Sequence, residues 1–131
     1  MDMKDLYWAA GFLEGDGYFS KSSPSRPGDY MVGATNADED VLQHLSCMFG
    51  HKVYPYAPGM YGPLTKKKMF RWHVSGSKAI GIMMTLYPLM SLRRKSQIRD
   101  VIAAWKSVPV AKKYRTARGL TYTEIHTRKG V

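Results

Sequence analysis

The 131-residue chain holds one cysteine, Cys47. An internal disulfide is therefore excluded, and so is a zinc site built from cysteine thiolates. No run of about twenty apolar residues occurs, so no helical membrane span is expected. Met1, Asp2, Met3, Lys4 and Asp5 lack the basic stretch and apolar core of a secretion signal, which points to an intracellular protein, cytoplasmic or organellar. Internal repeats and low-complexity tracts are absent. Acid is scarce in one half: residues 51–131 hold only Asp100 and Glu124 against 17 basic side chains, whereas residues 1–50 hold eight acidic and three basic ones. The whole carries a formal charge of +10. Such an imbalance favours a polyanionic partner, most simply nucleic acid. The basic residues do not lie opposite one apolar helical face, which argues against a membrane surface. A hydrophobic fraction of 44% and this length suit one domain with a core of its own.

The spacing of apolar residues predicts a helix over 4–14, capped by Asp2 or Asp5, and this helix is apolar all the way round. One side of it meets its own core, and the other needs a second partner. Alternation predicts strands over 18–22 and 30–35, with the turn-rich stretch 24–29 between them. Asn36 with Glu39 forms a capping-box pattern ahead of a helix carrying Val41, Leu42, Leu45, Met48 and Phe49, stopped by Gly50. A second hairpin follows, over 52–56 and 68–74. Phe70, Trp72 and Val74 share one face of its last strand, and Met69, Arg71 and His73 share the other. Ser77 is expected to cap a third helix that Pro88 terminates. Ser91 is expected to cap a fourth, with Ile98, Val101, Ile102 and Trp105 on one stripe. The order implies an α+β domain over 1–108: a four-stranded, mostly antiparallel sheet with helices on one face and the other face open to water or a ligand. Residues 109–131 form a basic tail with room for a short helix after Thr121.

The segment Ala9, Ala10, Gly11, Phe12, Leu13, Glu14, Gly15, Asp16, Gly17 resembles the LAGLIDADG motif of homing endonucleases, and the αββαββα order over 4–105 is similar to that family's fold. Gly11 and Gly15 leave one helical face bare, so two helix backbones can approach closely. A single motif copy requires the second helix to come from another chain, most simply in a two-fold homodimer packed through Trp8, Gly11, Phe12 and Gly15. Asp16 lies at a helix C-terminus, where the dipole disfavours a carboxylate and a hard divalent cation compensates. The resemblance implies that Asp16 and the carbonyl of Gly15 bind Mg²⁺ (or Mn²⁺), with Glu14 less directly involved. It also implies a basic residue near the site, for which Arg93 is the first match and Lys95 the second. Family members tend to place Gln at the end of the second strand to order water. This chain has Thr35 and Asn36 there, which leaves that role open.

The resemblance implies a homodimeric endonuclease that cuts a pseudo-palindromic double-stranded DNA across the minor groove by metal-dependent hydrolysis, leaving short 3′ overhangs. A β-ribbon fits the major groove. Tyr18, Ser20, Ser22, Arg26, Lys52, Tyr54, Tyr56, Arg71 and His73 are therefore expected to face DNA, with Lys66, Lys67 and Lys68 on phosphates and Arg71 the best guanine reader. Lys112, Lys113, Arg115, Arg118, Arg128 and Lys129 either follow the flanking backbone or form a loose arm. The alternative on the same fold is a non-cleaving DNA-binding or intron-RNA-binding protein, a regulator or splicing partner.

Overall fold

The computed structural model of the chain describes residues 1–21, 29–56 and 68–107. Asp2 starts helix α1 (Met3–Asp16) by accepting a bond from the Asp5 amide, so the cap is Asp2 and not Asp5. Strand β1 (Gly17–Ser20) follows without a linking residue. That abrupt junction explains Gly17: a Cβ there would sit 2.6 Å from the carbonyl oxygen of Leu13.

Strand β2 (Met31–Asn36), helix α2 (Glu39–Phe49), strands β3 (Val53–Tyr56) and β4 (Met69–Ser75), helix α3 (Ser77–Leu86), a 3₁₀ turn over Tyr87–Leu89 and helix α4 (Leu92–Ser107) complete the order. The element types match the spacing of the sequence, but two caps differ. Asp38, not Asn36, caps α2 by accepting from the Asp40 amide. Gly76, at φ 74°, starts α3, and no side chain caps it, so Ser77 is the first helical residue instead. Ser91 does cap α4, since its hydroxyl accepts from the Arg94 amide at 3.3 Å.

All strand pairs are antiparallel and the sheet order is β1-β2-β4-β3. Register places Phe19 opposite Val32, Val32 opposite Val74 and Ala34 opposite Trp72. Val32, Ala34, Trp72 and Val74 are fully buried on this face. Against them pack Leu13 of α1, Leu42 and Leu45 of α2, Ile80 and Met83 of α3, and Ile98 and Val101 of α4. One continuous core thus lies between the helices and a single sheet face, and apolar burial is its main stabilising contribution. Trp72 also keeps its indole N–H satisfied by donating to the Gly50 carbonyl at 2.9 Å. No helix among the described residues is long and apolar enough to cross a membrane.

Candidate active site and nucleic-acid interface

The end of α1 is held by α4. Arg94 is 7% exposed. Its Nε donates to the Glu14 carbonyl at 3.0 Å and its Nη2 to the Gly17 carbonyl at 2.8 Å. Nη1 donates to Gln97 Oε1 at 2.9 Å, and the guanidinium lies over the Phe19 ring. One planar cation therefore ties two carbonyls that the ending helix leaves without helical partners. Burial lowers the Arg94 pKa, repulsion from Arg93 adds to this, and Glu14 opposes it.

The two acids of the motif have different surroundings. The Glu14 carboxylate accepts from the Ser91 amide at 2.7 Å and from the Ser91 hydroxyl at 2.8 Å. Its pKa is lowered chiefly by the Ser91 N–H; the Ser91 hydroxyl, Arg94 and Arg93 add to this, against the opposing effect of burial. Glu14 is thus an anchor for the start of α4, where an anion is favoured. Asp16 is exposed, and among the described residues its side chain makes one hydrogen bond, accepting from Asn36 Nδ2 at 3.4 Å. Asn36 Oδ1 accepts from the Asp38 amide at 2.8 Å, which turns the amide nitrogen toward Asp16. Asn36 ends β2 and reaches the carboxylate, so it is a neighbour of Asp16 rather than the helix cap expected from the sequence.

The oxygen donors at this end are the Asp16 carboxylate and the backbone carbonyl of Gly15, hard ligands that fit Mg²⁺ or Mn²⁺. Arg94 takes the carbonyls of Glu14 and Gly17 and leaves that of Gly15 outside its grip. Among the described residues no group of three or more His, Cys, Asp or Glu side chains is placed to hold a metal.

Helix α1 shows a second feature. Met3 and Tyr7 are 57% and 56% exposed, and Gly11 and Gly15 are exposed in the same four-residue series. A Cβ at Gly11 or Gly15 would meet nothing within 4 Å. These positions therefore form one stripe along the helix, apolar and bare, that ends beside Asp16. Trp8 and Phe12, expected in the same interface, are partly buried and stack on each other at 5.4 Å. Trp8 also stacks on His44 of α2 at 4.0 Å, so this pair packs within its own chain.

The sheet face turned away from the described helices carries several of the expected DNA-facing residues. Tyr18 lies opposite Gly33, Gly33 opposite His73, Thr35 opposite Arg71, Arg71 opposite Tyr54, and Met69 opposite Tyr56. Tyr54 therefore shares the Arg71 face, while Val53 packs against the core. Ser20 falls in the same phase as Tyr18. Lys52 is exposed just before β3, and the Lys68 ammonium rests over the Phe70 ring at 5.5 Å. Arg93, its side chain 64% exposed, stands 4.0 Å from the Glu14 carboxylate. Lys95 lies over the Tyr87 ring. Ser22, Arg26, Lys66, Lys67, the basic tail and the side chain of Tyr56 lie outside what the structure describes.

His73 Nδ1 is buried and has no partner among the described residues. Burial lowers the pKa of His73 from 6.5; Arg71 and His51 add to this and Asp29 opposes it. The unfolded chain therefore binds more protons than the folded one between 6.5 and the lowered value. Stability should be full above about pH 6.5 and decline as pH falls through that window. Melting curves across this range should show the decline, and His73→Asn should flatten it.

The sequence reading passed over Arg94 in favour of its neighbours. A signal was available: Arg94 precedes Ile98 by four residues and Val101 by seven, which sets it on the buried stripe of α4. The same four-residue count would have put Met3 and Tyr7 in line with Gly11 and Gly15.

No family model and no curated protein matches the chain in sequence. Solved structures do match in fold. The homing endonuclease I-CvuI, in complex with the I-CreI target, superimposes with a TM-score of 0.63 at 18% identity, over 85% of this chain and 73% of that one. The group I intron-encoded homing endonuclease I-CeuI, complexed with DNA, gives 0.57 at 14%, over 78% and 54%. The LAGLIDADG meganuclease I-CpaMI, bound to uncleaved DNA, gives 0.54 at 11%, over 95% of this chain and 49% of that one. The fold is thus that of LAGLIDADG homing endonucleases. The chain spans about half the length of I-CpaMI.

Proposed function

We propose that two copies of this chain form a metal-dependent, site-specific double-stranded DNA endonuclease of the homing type. The observation that carries this reading is the exposed Met3, Tyr7, Gly11, Gly15 stripe, which ends beside the Asp16 carboxylate, whose hydrogen-bond partner among the described residues is the Asn36 amide and not a cation. Packing stripe against stripe around a two-fold axis covers the apolar helix and brings two Asp16 carboxylates side by side. The added copy would also supply a second carboxylate beside the first.

Bound Mg²⁺ or Mn²⁺ would supply Lewis acidity toward a phosphate oxygen and lower the pKa of a water. The chain's own residues have separable tasks. Asp16 and the Gly15 carbonyl would hold the cation, and Asn36 orients the carboxylate and offers a polar contact for water. Arg93 meets the scissile phosphate, with Lys95 second because its ammonium is engaged on Tyr87. Arg94 and Glu14 fix the helix end. The sheet face bearing Tyr18, Ser20, Tyr54, Arg71 and His73 lies in the major groove, with Lys52 and Lys68 beside the backbone. The I-CvuI and I-CeuI structures, solved on DNA, support DNA as the partner.

The test is a plasmid library carrying randomised pseudo-palindromic inserts, incubated with the full chain and Mg²⁺. Double-strand cuts at one selected site are expected, with Mn²⁺ substituting and chelation abolishing them. Affinity for that site should fall steeply with salt as phosphate contacts release counterions. Selection of one site without cutting in either metal would favour the non-cleaving binder. Failure to select any site would remove DNA recognition altogether.

A further inference from the structure

Gly33 sits in the interior of β2, where glycine weakens a strand and packs nothing. Its backbone is ordinary, since the positive-φ glycines among the described residues are Gly50 and Gly76. What Gly33 provides is space. A Cβ there would lie 2.6 Å from Tyr18 Oη and 2.7 Å from Tyr18 Cζ, and also 2.7 Å from the Trp72 carbonyl oxygen. The phenol of Tyr18 therefore rests on the bare backbone of β2 and crosses it toward β4. There its hydroxyl oxygen accepts a hydrogen bond from Arg71 Nη2 at 3.3 Å.

We infer that Gly33 and Tyr18 are positioning residues that hold the Arg71 guanidinium for bidentate recognition of one guanine in each DNA half-site. The inference rests on the proposed DNA-binding function and goes beyond it by assigning the device that sets specificity. Arginine side chains are long and rotamer-rich, so an unsupported one loses entropy on binding and tolerates several bases. Here the phenol fixes one nitrogen of the fork from the side, across a strand that offers no side chain of its own. The plane of the fork is then held in a set direction, as recognition of O6 and N7 of guanine requires. His73, next on the same face, is kept toward its neutral form by burial foremost, which limits its repulsion of Arg71. Tyr18 thereby acts through Arg71 and is not itself the base reader.

The experiment uses the full chain and the duplex it selects from a random library. Competition binding is measured on the selected duplex and on all its single-base-pair substitutions, for wild type, Arg71→Lys, Tyr18→Phe and Gly33→Ala. Arg71→Lys should erase guanine preference at one position per half-site. Tyr18→Phe keeps the ring and removes only the hydroxyl. It should relax discrimination at that same position by roughly tenfold, with the loss concentrated there. Gly33→Ala should do the same if it folds; if the Trp72 carbonyl clash unfolds it, Tyr18→Phe alone decides. Unchanged guanine preference in Tyr18→Phe, or a loss spread evenly over all positions, overturns the inference while leaving DNA recognition intact. A wild-type chain that selects no duplex overturns both this inference and the proposed function.

Discussion

Asp16→Asn is expected to lower DNA cleavage by roughly a thousandfold or more while the selected duplex is still bound. The substitution preserves shape and removes one negative charge per chain. Asparagine can keep the contact with Asn36, because its amide oxygen accepts from the Asn36 Nδ2 as the carboxylate does. It is a far weaker ligand for a hard divalent cation than a carboxylate. The proposed DNA-binding residues Arg71 and Tyr54 make no hydrogen bond to Asp16 among the described residues. Parallel cleavage and gel-shift titrations on one duplex check the separation. Cleavage persisting at wild-type rate would remove Asp16 as the metal ligand. Loss of binding and cleavage together would indicate a structural role.

Arg94→Met is expected to destabilise the fold by about 3 kcal/mol. Methionine fills much of the volume but donates nothing. The carbonyls of Glu14 and Gly17 then lose their charged donor at a buried junction, and Glu14 loses one of its two nearby cations. Arg94→Lys should recover only part of this, since a single ammonium does not reproduce a planar fork that reaches both carbonyls and Gln97. Arg93→Met is the contrasting variant. Its side chain is 64% exposed, so stability should change little, while cleavage should fall if it meets the phosphate. Thermal unfolding of the three variants, set against their cleavage rates, separates the buried arginine from its exposed neighbour.

The helices and strands were legible because a core on one sheet face imposes period two on strands and a stripe on helices. Phe70, Trp72 and Val74 announce that face directly. Caps were less legible, because several polar residues in a row can serve. Asn36 and Asp38 both suit an N-cap, and Asp38 takes the role while Asn36 turns toward Asp16. Ser77 looks like a cap, but the chain enters α3 through Gly76 in a positive-φ conformation. In α1 the apolar residues run all round, so spacing alone does not say which side its own chain covers. The stack of Trp8 on His44, a contact between α1 and α2, decides it. The link from Tyr18 over Gly33 to Arg71 depends on strand register and sheet order, neither of which the residues state singly.

Joining two chains along α1 is the claim on which the metal site and the symmetric target both depend. Its most direct test is an inter-spin distance. A nitroxide is attached at Asp16→Cys in a Cys47→Ser background, since Cys47 is exposed and would take label as well. Packed helices lie about 8–10 Å apart, so the account predicts one narrow short-distance population, broadened only by the label arms and lost in Gly11→Leu. A spectrum without dipolar coupling, or a long distance that Gly11→Leu does not alter, would contradict it.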